Sequence, residues 1–502
     1  MKGILKLFTS RFVQTCAGIL LQFIVILLIN MYFSGLFVYY YATMFVVGMF
    51  LSLIVINTRA NPGYKIAWLL LLLGLPMFGV SVYILLSGRL FKKRRAKKMG
   101  MINLRVRETL KTSSRVKIGD IYAQRQSNYI KQYSFSSPYK NTKTKYFSSG
   151  EQYFESLLSD LELAEKSIYL EFFIIKPGYM WSRIKDIITR KASQGVDVKI
   201  IYDDVGCLDK LTFKEISTLK KSGIKIKGFN LFVPVLDLVL NNRDHRKIVT
   251  IDSKIAYTGG INIADEYINK VERFGYWKDS GIALYGEGAF SCEIYFLCMW
   301  EHITKEKIST TIPTFDNEYE ESGIVQPYID SPLDDELVGE NVYMNIISTA
   351  KRYVYISTPY FVVDDEMLRT ITNASKRGID VRIIVPHIPD KKIVNQVTKS
   401  FYLRLIEAGV KIYEYKKGFN HSKIVVADDE IATIGSINFD YRSFYLSFEN
   451  GVWLYKTDSI KDILFDYNTM LSQSIPITKE KCKVSIFTRV LRGVLSAFSP
   501  MF

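Results

Sequence analysis

The sequence is short of three things. It has only four histidines and five cysteines in 502 residues, and its first 88 residues contain no Asp or Glu. The cysteines (Cys16, Cys207, Cys292, Cys298 and Cys482) form no CxxC pair and no metal-ligand cluster. That sets aside a disulfide scaffold and a metal site, and it fits a reducing compartment. The acid-free segment holds Lys2, Lys6, Arg11, Arg59 and Lys65 among long apolar runs, and residues 89–150 add seventeen Lys/Arg against Glu108 and Asp120. The remaining 352 residues carry 44 basic and 48 acidic side chains, so the net charge of +16 comes from the N-terminal part. An enzyme acting on nucleic acid needs its positive field on the catalytic domain, where phosphates are gathered. This field lies beside the apolar runs. It suits anionic lipid headgroups or a topogenic role, and nucleic acid is not an expected partner.

Three apolar stretches, near 12–33, 36–56 and 66–86, are each long enough to cross a bilayer as a helix. The first has too long an apolar core, and lacks the cleavage site, for a signal peptide. Residues 1–90 are therefore expected to form a transmembrane anchor of two to three helices. Seven Lys/Arg follow within 89–98, and the positive-inside rule places the next domain in the cytoplasm of a multi-pass cell-membrane protein. Three full crossings would put the N-terminus on the far side; a first stretch that does not cross would keep both ends together. Residues 91–149 are basic and short of periodic apolar runs, which predicts a membrane-proximal linker.

From about residue 150 the sequence repeats itself. Gly195-Val-Asp-Val-Lys-Ile-Ile is answered by Gly378-Ile-Asp-Val-Arg-Ile-Ile, and Gly223-Ile-Lys-Ile by Gly409-Val-Lys-Ile. Short Val/Ile runs alternate with helical stretches in both copies, so two repeated α/β domains are expected, at 150–325 and 326–480. The first copy carries an apolar insertion, Phe229–Leu240, which could dip into lipid or be a buried connection. Residues 481–502 place Phe487, Val490, Leu491, Val494, Leu495 and Phe498 at helical spacing, with Lys479, Lys481, Lys483, Arg489 and Arg492 around them. That pattern predicts an amphipathic helix lying at a membrane interface.

Two of the four histidines begin the same motif. His245, Lys247 and Asp252 are followed by Gly259-Gly-Ile-Asn262; His421, Lys423 and Asp428 are followed by Gly435-Ser436-Ile-Asn438. On a strand, residues i and i+2 share a face, so each His and Lys project together. A glycine turn then brings an Asn and backbone amides beside them. A phosphate group needs such a set: fixed positive charge, amide donors and a nucleophile in line. One His-x-Lys would be unremarkable; two, with matched spacing inside a repeat, point to phosphodiester chemistry at one shared site. One neutral imidazole attacks phosphorus and forms a phosphohistidine. The other, protonated, gives its proton to the leaving alcohol and then activates the incoming one. Each imidazole needs an acceptor on its other nitrogen, and Asp279 and Glu449, each one strand beyond a motif, are the candidates. Asp252 and Asp428 complete the catalytic motif, but their strand parity makes them turn braces rather than substrate contacts.

At these residues the chain resembles the phospholipase D superfamily, and within it the bacterial cardiolipin synthases. Tyr202-Asp-Asp-Val-Gly206, Asn242-Arg-Asp-His-Arg-Lys, Thr358-Pro-Tyr-Phe361 and Gly435-Ser-Ile-Asn-Phe-Asp-Tyr-Arg-Ser-Phe carry the likeness, with Asn61-Pro-Gly-Tyr-Lys-Ile-Ala-Trp-Leu in the anchor. The run after Phe361 lacks the proline often seen there. The resemblance implies two phospholipase D-like domains sharing one active site. It implies conversion of two phosphatidylglycerol molecules to cardiolipin and glycerol, without metal or cofactor. It makes His245 the nucleophile and His421 the acid/base, with Asn262, Asn438 and Ser436 at the substrate phosphate. A phospholipase D-type hydrolase and a non-catalytic lipid-binding membrane protein are the alternatives; the intact motifs weigh against the second.

Overall fold

The computed structural model describes residues 37–58, 61–86, 96–103, 116–231, 242–307, 313–315 and 322–501, and residues 24, 28 and 32 besides. All but residues 24, 28 and 32 of the expected first crossing near 12–33, and nearly all of the Phe229–Leu240 insertion, lie outside the described residues.

Helix α1 (Phe37–Ile56) is twenty uncharged residues, about 30 Å of helix. Among the described residues it alone is long and apolar enough to cross a bilayer. The expected crossing at 66–86 is not one helix but two, α2 (Pro62–Gly74) and α3 (Pro76–Leu86). Leu75 leaves the helical region at φ −134°, and Pro76 has no N–H to continue the ladder. The chain then doubles back. The rings of Trp68 and Tyr83 lie 4.9 Å apart, whereas a straight helix would separate residues so spaced by about 22 Å. Gly79 permits the close packing, since a Cβ there would stand 2.1 Å from the Leu71 carbonyl oxygen. The two legs span about 20 and 16 Å, short of the ~30 Å apolar core of a bilayer. The third apolar stretch is thus a hairpin, whose two ends lie together.

The first α/β half contains β1 (Thr142–Phe147), β2 (Ser167–Phe172), β3 (Asp197–Asp203), β4 (Lys225–Phe229), β5 (Arg243–Asp244), β6 (Lys247–Ile251), β7 (Ile255–Gly259), β8 (Tyr276–Lys278) and β9 (Gly281–Gly286), followed by α4 (Glu287–Thr304). Its sheet runs β1-β9-β7-β6-β2-β3-β4. The second half contains β10 (Ile324–Asp330), α5 (Val338–Thr349), β11 (Tyr353–Ser357), β12 (Phe361–Val362), α6 (Asp365–Lys376), β13 (Asp380–Pro386), α7 (Lys392–Glu407) and β14 (Lys411–Tyr415). It continues with β15 (Gly418–Asn420), β16 (Ile424–Ala427), β17 (Ile431–Gly435), β18 (Phe439–Asp440), β19 (Ser447–Tyr455) and β20 (Ser474–Ile477). Its main path, β10-β19-β17-β16-β11-β13-β14-β20, repeats the first order with one strand added. Each half has its own apolar core. A third core joins them, with Ile248, Ile282 and Leu284 packed on the side of Ile424, Val426, Ile434 and Val452. The motif strands β6 and β16 therefore meet at the domain interface.

The expected linker at 91–149 is only partly a linker. Met99 and Ile102 are buried against α4 residues, Ile121–Tyr133 is a helix packed on the second half, and β1 is an edge strand paired along its length with β9. Its Thr-Lys-Thr-Lys alternation buries threonines and exposes lysines, so no apolar run marked it. The C-terminal helix α8 (Ile486–Ala497) packs on α7 and α2, and Arg492 Nε donates to Gln396 Oε1 at 3.1 Å. Its Ile486, Phe487, Val490, Leu491 and Val494 stay exposed.

Candidate active site

The two short strands outside the first sheet build the site. β5 pairs in parallel with β19 of the other half, setting Asp244 opposite Phe448. The next residues, His245 and Glu449, then meet: Nδ1 lies 2.8 Å from Glu449 Oε1, and the His245 amide donates to the Phe448 carbonyl at 2.9 Å. The mirror arrangement uses β15 and β8, with Asn420 opposite Lys278. There His421 Nδ1 lies 2.7 Å from Asp279 Oδ2, and the His421 amide donates to the Lys278 carbonyl at 2.7 Å. Each histidine is held by a carboxylate of the opposite half. A carboxylate at Nδ1 fixes the ring and its tautomer and leaves Nε2 for substrate.

Lys247 and Lys423 are buried, and each ε-amino group donates to the carbonyl of its own motif histidine. Phe173 stands edge-on to His245 at 5.2 Å between centroids, while Tyr267, Trp277 and Phe419 surround His421. Burial dominates the electrostatics. It lowers Lys247 to about 7 and Lys423 to about 8. Burial, then Lys423, brings His421 down to about 4, and burial with Lys247 and Lys423 holds His245 well below its ordinary range. The two orienting acids diverge. Burial lifts Glu449 to about 8, against the pull of Lys247 and the Ser436 hydroxyl. Burial also opposes charge on Asp279, but His421 and Lys423 outweigh it and hold that carboxyl below its usual value.

Several candidate residues sit elsewhere than a phosphate would require. Asp252 and Asp428, grouped with the catalytic residues, do not reach the site. Asp252 accepts the backbone N–H groups of Glu165, Lys166 and Ser167 at 2.7–2.8 Å. Asp428 does the same for Lys351, Arg352 and Tyr353 at 2.7–3.0 Å. Both stand at positive φ, 53° and 58°, in the turn that ties each motif strand to the start of β2 or β11. Ser436 donates its hydroxyl to Glu449 and accepts the Asn450 N–H, which makes it a prop for the acid rather than a phosphate ligand. Asn262 accepts from the Ile174 N–H at 3.0 Å and donates to the Tyr267 hydroxyl at 2.8 Å, so its amide bridges protein groups. Asn438 differs: its Oδ1 is buried with no partner. Gly435 brings β17 and β19 together, because a Cβ there would meet the Asn450 carbonyl oxygen at 2.2 Å.

The comparisons follow this division into halves. The family described as "Cardiolipin synthase, PLD-like domain" matches residues 157–274 and 343–471, once in each half. "Phospholipase_D-nuclease N-terminal" matches residues 46–88. A cardiolipin synthase of Geobacillus kaustophilus is 34% identical over 465 residues, 90% of this chain and 92% of that protein. The chain belongs to the cardiolipin synthase family. An uncharacterized protein of Streptococcus mutans serotype c is 40% identical over 456 residues, 89% of this chain and 99% of its own length. The crystal structure of phosphatidylserine synthase from Haemophilus influenzae shares the fold, with a TM-score of 0.54 and 15% identity over 76% of this chain and 98% of that one.

Within this cardiolipin synthase framework, some supporting residues left no mark in the sequence. Arg246, between the motif His and Lys, is buried and pairs with Glu171 and Asp244. Ser280 and Ser422 hydroxyls join across the interface at 2.7 Å, and Asn450 Nδ2 reaches Thr258 of the other half at 2.6 Å. Only their adjacency to motif residues or orienting acids could have singled them out.

Proposed function

We propose that the chain is a cardiolipin synthase acting on phosphatidylglycerol, and the crossed pair of imidazole–carboxylate contacts is the observation that carries this reading. A raised Glu449 disfavours a charged ring at His245 and leaves a neutral nucleophile. An ionised Asp279 pulls His421 upward against the burial that holds it at about 4, so this is the ring that takes up the proton a leaving alcohol needs once anionic phosphate is bound beside it. His245 Nε2 attacks the phosphorus of one phosphatidylglycerol, the bond to its glycerol oxygen breaks, and His421 supplies the proton. The terminal hydroxyl of a second phosphatidylglycerol then loses its proton to His421 and attacks the same phosphorus. The N–P bond breaks, cardiolipin leaves and both rings return to their starting state. Lys247 and Lys423 offset the charge on the non-bridging oxygens.

The anchor supports a lipid substrate. The hairpin's ends and the end of α1 lie on the side of the catalytic halves, because Asn61, next to the start of α2, bonds to residues of the second half. If 12–33 crosses as the partner of α1, every Lys and Arg of the first 98 residues falls on that one side, and the positive-inside rule makes it the cytoplasm. The exposed apolar stripe of α8 lies beside α2 and continues that face as an interfacial helix.

The test is product analysis. The detergent-solubilised chain, given phosphatidylglycerol alone, should release cardiolipin and glycerol in equal amounts. Phosphatidic acid as the sole product would replace this reading with a hydrolase.

A further inference from the structure

The segment just before Glu449 is where the membrane hairpin touches the catalytic halves. Residues Arg442–Leu446 form one π-helical turn between β18 and β19. Such turns are rare, cost stability, and persist where surrounding contacts over-determine them. At the outer end of this one, Tyr445 donates its hydroxyl to Asp364 Oδ2 at 2.6 Å. Asn61 Nδ2 donates to both, to Asp364 Oδ2 at 2.9 Å and to the Tyr445 oxygen at 2.8 Å. Asn61 Oδ1 meanwhile caps α2 by accepting the Gly63 N–H at 2.8 Å. Asp364 is itself committed, its other oxygen capping α6 at Met367 N. Glu340 of α5 lies against this group, where burial and the Asp364 charge push its carboxyl up to about 9.

At the inner end the same turn reaches the site. Ser443 N donates to Asp440 Oδ1 at 2.7 Å, Ser443 Oγ accepts the Asn438 N–H at 3.1 Å, and the turn runs directly into β19, whose third residue is Glu449. One five-residue turn thus joins an amide of the anchor to the acid that holds His245 and to the backbone of Asn438.

We propose that Asn61 is a positioning residue for catalysis: by docking on Asp364 and Tyr445 it fixes the π-helical turn, and through the start of β19 it sets Glu449 against His245. The proposal rests on the roles given to His245 and Glu449 above. It ties turnover to a correctly seated membrane hairpin, so a chain whose anchor is misplaced is held at low activity.

Asn61→Ser keeps the cap acceptor and removes both donors; Tyr445→Phe removes the hydroxyl from the catalytic side and leaves the anchor unchanged. Both full-length variants, in phosphatidylglycerol-containing mixed micelles, should lose kcat by roughly tenfold with KM little changed, within the up to ~100-fold that a 1 Å misplacement costs. The double variant should be no worse than either single one. A residue that merely holds the fold would lower the melting temperature and yield while kcat per folded molecule stayed put. Parental kcat per folded molecule in both Asn61→Ser and Tyr445→Phe would overturn the proposal. Absence of cardiolipin from the parent chain would overturn the functional reading instead, so the two failures are separable.

Discussion

In one half of the site His245 leans on Glu449, a carboxyl that burial lifts to about 8; in the other, His421 leans on Asp279, which His421 and Lys423 hold below its usual value. The geometry is the same on both sides: a bridging strand of two or three residues, a histidine amide on the partner half, and an imidazole–carboxylate contact of 2.7–2.8 Å. What differs is charge. On the mechanism proposed above, duplication supplies two equal imidazoles and the two acids set them apart, one for attack and the other for proton transfer.

The sharpest way to break this comparison is to remove one ring at a time. His245→Ala and His421→Ala should each lower cardiolipin formation by at least about 10⁴-fold, as loss of a member of a catalytic triad does. They should part company on a phosphatidyl ester with a nitrophenol leaving group, which needs no proton. In the single-turnover release of nitrophenol, His421→Ala should then recover about 10²-fold or more of the lost rate, the worth of a general acid, and His245→Ala should recover none. Recovery by His245→Ala instead would exchange the two roles.

The orienting acids come next. Glu449→Gln and Asp279→Asn should each reduce kcat by about 10²- to 10⁴-fold, the upper end being the known cost of mis-set tautomers. Because the contacts are crossed, Glu449→Gln should behave like loss of His245 on the nitrophenyl ester, and Asp279→Asn like loss of His421. A within-half pattern would contradict the crossed pairing.

A smaller effect separates the lysines. With burial holding them at about 7 and 8, Lys247 and Lys423 lose positive charge as pH rises through that window, and kcat/KM should fall with it. Bound phosphate draws the protons back, so the limb in kcat should lie at higher pH. Lys423→Arg, which cannot deprotonate, should move the kcat/KM limb; a limb unchanged in both position and steepness would assign it elsewhere. The smallest effect on rate belongs to Asp252→Asn and Asp428→Asn. Each weakens three backbone contacts, so stability should drop by about 1–3 kcal/mol while kcat of the folded enzyme changes less than about threefold, read by thermal unfolding beside turnover. A collapse of kcat would return both residues to the chemistry.

Much of this was legible in the sequence because spacing carries it. His-x-Lys on a strand fixes which side chains share a face, and the matched offsets of 421 and 245 fixed the repeat. The crossing of the acids was not legible, since β5 and β8 are too short to show periodicity and their pairing is between halves. Asn262 looked like a phosphate ligand because a glycine turn places it near a motif histidine, and Ser436 through the family resemblance; only the fold shows that their hydrogen bonds are already taken. The hairpin was hidden for a similar reason. Gly74, Pro76 and Gly79 are tolerated within a single membrane helix, and they also suit a reversal, so composition alone did not choose between them. In β1, buried threonine took the place of the apolar residues by which strands are found.

The crossed contacts also order events during synthesis. A nascent chain displays His245 and Lys247 while Glu449 is still some two hundred codons away, and His421 appears only after Asp279 has folded into place. Until β19 arrives, His245 has no carboxylate at Nδ1. On the function proposed above, the growing polypeptide therefore has no complete site until its last strands are made.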